Sequence, residues 1–146
     1  NLWISAAEQQ ALTKGQVTQS LQQRIVRFHL VDNTRGEPPM WKKEEIRQLK
    51  IPFDGTTLRG TVHLETADGK RGYEAQLLGK IEVRGGKVVL FDMVADGSFW
   101  GQGPYSGIAP KGRFPLAVGF RLADGTDAAD QIPPQASRGW VQGYIR

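Results

Sequence analysis

Tyr73-Glu-Ala-Gln-Leu-Leu-Gly-Lys-Ile-Glu-Val83, closed by Arg84-Gly85-Gly86, is the stretch whose reading decides the fold. Tyr73, Ala75, Leu77, Gly79, Ile81 and Val83 share one side of an extended chain. Glu74, Gln76, Lys80 and Glu82 take the other, with Leu78 the exception. A period of two held this long is the signature of a half-buried strand. Gly85-Gly86 then turns the chain, because both central positions of a tight hairpin turn need positive φ.

The same logic extends outward. Upstream, Leu58, Gly60, Val62 and Leu64 alternate with Arg59, Thr61, His63 and Glu65, and Asp68-Gly69 supplies a hairpin turn before Tyr73. Downstream, Val88, Leu90, Asp92 and Val94 fall on one face, and Val89, Phe91 and Met93 on the other. A strand apolar on both faces is expected to be covered on both. Phe114, Leu116, Val118, Phe120 and Leu122 continue the pattern, and Trp140–Ile145 reads as a closing strand. The expected architecture is mainly β, an antiparallel meander forming a curved sheet or partly closed barrel. Its core should hold Val62, Leu64, Leu77, Ile81, Val83, Leu90, Leu116, Val118 and Phe120.

The N-terminal third is less regular. Ser5 and Glu8 have the spacing of a capping box ahead of a short helix over Ala6–Leu12. Arg24–Val31 reads as a strand burying Val26, Phe28 and Leu30, with His29 facing out beside Arg27. Asp32–Pro39 is a loop by composition, with Arg35 set between two acids, and Trp41–Leu49 fits a second short helix ended by Pro52. No linker or repeat divides residues 1–146, so one domain is expected.

Composition agrees. The 18 Gly and 8 Pro among 146 residues suit a fold of short strands and many turns. With no cysteine, thiolate catalysis, disulfides and Cys-based zinc sites are excluded. A chain of this length buries about two-thirds of its unfolded surface and needs no such staple. The net charge of +4 is spread along the chain without a basic block, so nucleic acid is not an expected partner. No apolar run approaches the roughly 18 residues of a membrane span. The sequence opens at Asn1 without methionine, as a processed or excised chain would, which favours an extracytoplasmic expectation.

No catalytic motif is present, neither nucleophile elbow, metalloprotease helix nor phosphate loop, and no cofactor is implied. The expected function is a non-catalytic module binding a partner protein or glycan through the aromatic, glycine-rich loop 97–112. Phe99, Trp100 and Tyr105 lie there among glycines that let a ligand approach closely. If the loop binds, Trp100 and Tyr105 expose ring faces; if it folds inward, they plug the end of the sheet. Asp92, read as inward-facing, and Asp96 at the strand end complete the expected site together with Arg113. These residues also define the alternative, a hydrolase or isomerase using Asp92 or Asp96 as acid and base near Arg113 or His63. A barrel holding a small apolar ligand is the other alternative.

Overall fold

The computed structural model describes residues 1–146. Five strands, β1 (Ile46–Lys50), β2 (Thr57–Glu65), β3 (Gly72–Arg84), β4 (Lys87–Trp100) and β5 (Arg113–Arg121), pair antiparallel in sequential order. The chain is therefore mainly β, a meander whose edges are β1 and β5. The sheet does not close, so no barrel interior exists to hold the apolar ligand of the second alternative. Both expected turns form: Gly85 and Gly86 take φ of 54° and 74° between β3 and β4. Between β2 and β3, Asp68 accepts hydrogen bonds from the Lys70 N–H and the Thr66 hydroxyl.

One face of the sheet is buried. Leu58, Val62, Leu64, Tyr73, Leu77, Ile81, Phe91 and Met93 pack on Leu2, Leu12, Leu21, Ile25, Leu30 and Trp41 in a single apolar cluster. The covering layer comes from the N-terminal third. Its first helix, α1 (Ala6–Thr13), starts at the predicted capping box: the Glu8 N–H donates to Ser5 Oγ, and the Ser5 N–H donates to the Glu8 carboxylate. Thr18 caps α2 (Gln19–Arg24) by accepting from the Leu21 N–H. No helix is long and apolar enough to cross a membrane.

Four expectations are corrected here. Arg24–Val31 is no strand: it is the end of α2 running into a single π turn, Ile25–His29. Every residue of the segment is buried, His29 included. It lies between the sheet and the C-terminal residues, so burial on all sides replaced the one-sided pattern that alternation implies. Trp41–Leu49 is not helical beyond one short turn at Lys43–Glu45, after which Ile46–Lys50 pairs with β2. Trp140–Ile145 forms no strand, and α3 (Val141–Ile145) closes the chain instead.

The fourth correction moves Asp92. β3 and β4 pair Val83 with Val88 but Glu82 with Leu90, so Val89 is an extra residue in the ladder. A bulge of this kind exchanges the two faces beyond it. Val88 points into the core before it, and Phe91, Met93 and Ala95 after it, while Asp92 and Val94 stand exposed on the opposite face. Asp92 is therefore not an inward carboxylate. Of the expected core, Val83 is also exposed, and Leu90, Val118 and Phe120 are only half-buried; Val62, Leu64, Leu77, Ile81 and Leu116 are buried.

At the chain ends, Tyr144 of α3 is buried, and its hydroxyl accepts from the Trp3 N–H at 3.2 Å and pairs with His29 Nε2 at 2.8 Å. Arg24 pairs with Glu8 and donates to the carbonyls of Tyr144 and Ile145. Burial pushes the His29 imidazole down to about 3. The Glu8 carboxyl is held below its ordinary range: burial pushes it up, but hydrogen bonds from Arg24, Ser5 and Ser20 outweigh that.

Candidate functional site

The face of the sheet that the helices leave open is a trough of about 1120 Å³. Antiparallel register stacks its side chains in cross-strand rows. Glu65, Gly72, Trp100 and Arg113 form the row at one end, followed by His63, Glu74, Ser98 and Pro115. Thr61, Gln76, Asp96 and Ala117 come next, then Arg59, Leu78, Val94 and Gly119. The last row is Thr57, Lys80, Asp92 and Arg121. Leu78 and Val94 leave a small apolar pair exposed in the middle.

The end row brings two of the predicted site residues together. Trp100 lies flat on Gly72, where a Cβ would occupy the space of the indole. A large ring covering a cross-strand glycine restores packing that the glycine lacks. The Arg113 guanidinium sits 4.0 Å from the ring centroid, and the indole N–H donates to the Gly69 carbonyl at 2.9 Å. Trp100 thus neither exposes a ring face to solvent nor plugs the core. It pins the β2–β3 turn to the sheet.

Arg113 reaches across the ring to Glu74, donating at 2.8 Å and 3.3 Å. Those bonds hold the Glu74 carboxyl below the usual carboxylate range and raise the Arg113 guanidinium. His63 Nε2 lies 3.5 Å from both Glu65 and Glu74 and makes no hydrogen bond. The sequence offered His63 as a neighbour of Asp92 or Asp96 but did not single out Glu74; the strand register sets His63 and Glu74 opposite one another. Asp96 lies two rows from Trp100 in the trough, and Asp92 lies at the far end opposite Lys80 and Arg121. The two carboxylates occupy different rows, both in solvent.

Tyr105 belongs to a different feature. β4 continues through Trp100, so the loop proper begins at Gly101 and ends at Gly112. Its first half is anchored. Gly103 packs on Pro39, and its N–H donates to Ser106 Oγ at 2.8 Å. The buried Ser106 bridges to Gly36, and the Tyr105 carbonyl accepts from the Glu37 N–H. From this base the tip projects outward, with Tyr105 77% and Ile108 96% exposed. Ile108 has φ of 62°, the only non-glycine residue of the chain at positive φ. A β-branched residue pays for that conformation through its Cβ, at about 1–3 kcal/mol. Composition alone does not distinguish Ile108 from the other residues of the loop; its backbone angle does.

Comparison with protein-family models, with curated proteins and with solved structures yields no match to this chain.

Proposed function

We propose that the chain is a non-catalytic binding module that docks a partner protein through the loop Gly101–Gly112. The observation that carries this reading is Ile108, strained and almost wholly exposed at the tip of a loop whose base is fixed. In the free chain such a residue costs stability twice, through its backbone and through apolar surface left in water. An apolar pocket on a partner would recover the second cost, and an anchored loop meets that pocket without first being ordered. Tyr105, exposed in the same loop, adds an aromatic contact of the kind that often dominates interface energy.

A protein fits better than a glycan. Sugar recognition through the loop called for a free indole face at Trp100, and that ring lies between Gly72 and Arg113. The acid–base alternative draws no support from Asp92 and Asp96, which lack the desolvated setting that tunes a catalytic carboxylate.

The test is affinity capture from an extract of the source organism with four baits: the native chain, Ile108→Gly, Tyr105→Ser and, on the trough, Gln76→Ala. A specific protein should be held by the native chain and Gln76→Ala and lost by both loop variants. Equal capture by all four baits, or recognition on a glycan array that Ile108→Gly leaves unchanged, would overturn the proposal.

A further inference from the structure

On the opposite side of the molecule from the sheet's open face, α2, the π turn and α3 enclose a cleft of about 620 Å³. Arg24, Arg27, Lys43 and Arg146 line it, and no aspartate or glutamate does. Arg24 pairs with Glu8 and donates to the carbonyls of Trp3, Tyr144 and Ile145, so four of its five N–H donors are used. Arg27 is not so engaged.

Arg27 is only 8% exposed, yet it takes part in no ion pair of the chain. Its Nε donates to the Trp41 carbonyl at 2.9 Å, and its Nη2 has only the Met40 sulfur at 3.9 Å. A guanidinium carries five N–H donors, so most of this one's hydrogen-bonding capacity is unspent. Nη1 has no partner within the chain and is not a buried atom, so it opens onto the cleft with its donors free. The acid whose field Arg27 feels is Glu44, which forms no ion pair with it. Burial draws the Arg27 guanidinium below its ordinary range.

The surroundings are those of a ligand site. Arg27 is flanked by the rings of Phe28 and Trp140, at 5.1 Å and 5.8 Å. Trp140 is half-exposed at the cleft wall, and its indole rests on Gly143, where any side chain would displace it. Gln23 adds an amide able to donate, and Lys43 a second cation.

We propose that this cleft binds a small organic anion, its phosphate or carboxylate paired with Arg27 and Lys43 and its planar body laid against Trp140. Arg27 supplies a planar fork that matches either group with two parallel hydrogen bonds. Lys43 contributes a mobile point charge. The volume lies within the range of small-molecule sites, and is too large for the anionic group alone. The inference is independent of the loop Gly101–Gly112 and would stand if partner docking there failed.

Four probes test it: phenyl phosphate, benzoate, inorganic phosphate and neutral phenol, each titrated into the native chain with the indole N–H resonances followed by NMR. Phenyl phosphate or benzoate should saturate, move the Trp140 resonance and bind at least tenfold more tightly than phenol. The tighter of the two identifies the anionic group. Inorganic phosphate should bind more weakly than phenyl phosphate and leave Trp140 less disturbed. Arg27→Gln should weaken binding by tenfold or more, and Lys43→Gln by several-fold. Should Arg27→Gln fail to fold, Lys43→Gln and Trp140→Ala, both at exposed positions, decide the matter. The proposal is refuted if no anion saturates below 10 mM (roughly 2.7 kcal/mol of binding), if phenol binds as well as phenyl phosphate, or if both exposed-site variants bind like the native chain.

Discussion

His29 makes the stability of this fold depend on pH in a way that can be worked out beforehand. Its ring is buried against Phe120, its Nε2 pairs with the Tyr144 hydroxyl, and its folded-state pKa is pushed down to about 3 from 6.5. Between those values the unfolded chain binds a proton that the folded chain refuses, so folding stability falls as pH is lowered. The contribution is whole above pH 6.5 and is lost progressively down to about pH 3. Each pH unit in that window is worth about 1.4 kcal/mol. At pH 4.5, two units below the unfolded value, the loss from this residue alone is about 2.7 kcal/mol. That is a large fraction of the 5–15 kcal/mol typical of a domain's total stability. Other groups titrate across the same range, and hydrogen-bonded carboxylates such as Glu8 lose stability in the same direction. The informative quantity is therefore a difference between two chains. His29→Gln keeps an amide able to meet the Tyr144 hydroxyl but cannot be protonated. Urea unfolding at pH 7.5 and pH 4.5, followed by tryptophan fluorescence, should show the native chain losing about 2.7 kcal/mol more than the variant. Equal losses in the two chains would refute the reasoning, because they would mean that His29 takes up its proton without unfolding.

Other substitutions probe the sheet and the loop. Gly97→Ala drives a Cβ into the Glu74 carbonyl on the adjacent strand; it should lower stability by about 2–3 kcal/mol in urea unfolding, the upper part of the range for overpacking. Trp100→Ala uncovers Gly72 and releases the indole bond to Gly69. Since the ring is only half-buried, the loss should be about 2 kcal/mol, below that of a core tryptophan. Amide exchange should quicken at Gly69–Arg71 and stay unchanged in β3. Ile108→Gly relieves a strained backbone and should raise stability by about 1 kcal/mol in a thermal melt, while removing partner capture. A loss of stability there would mean that the positive φ is supported by contacts within the chain.

The alternation of Leu58, Val62 and Leu64, of Tyr73, Leu77 and Ile81, and of Phe114 and Leu116 was sufficient to specify strands, their inner faces and the meander. Each of those strands has one face in the core and one in water, so the period of two is written directly into residue polarity. Two short signals were equally legible: the capping box at Ser5 and Glu8, and the glycines of the two hairpin turns. Both act within a few residues, and no distant part of the chain is needed to satisfy them.

Where a segment is enclosed on every side, that signal disappears. Arg24–Val31 alternates enough to resemble a strand, but it is helical, because packing from both directions rewards apolar residues all around it. Val89 shifts β4 by one residue and turns Asp92 from an apparent core carboxylate into a surface one. Such a bulge depends on the partner strand and leaves no mark in the composition of its own. The candidate sites divide in the same way. The loop after Trp100 was visible as a glycine-rich stretch, but the strain at Ile108 was not. The row of Trp100, Arg113 and Gly72 exists only through register. The cleft around Arg27 assembles α2, the π turn and α3 from opposite ends of the chain. The sequence by itself thus determined the elements that have a wet side and a dry side. The tertiary structure alone decided which charges are left without a partner, because that depends on which distant residues come to surround them.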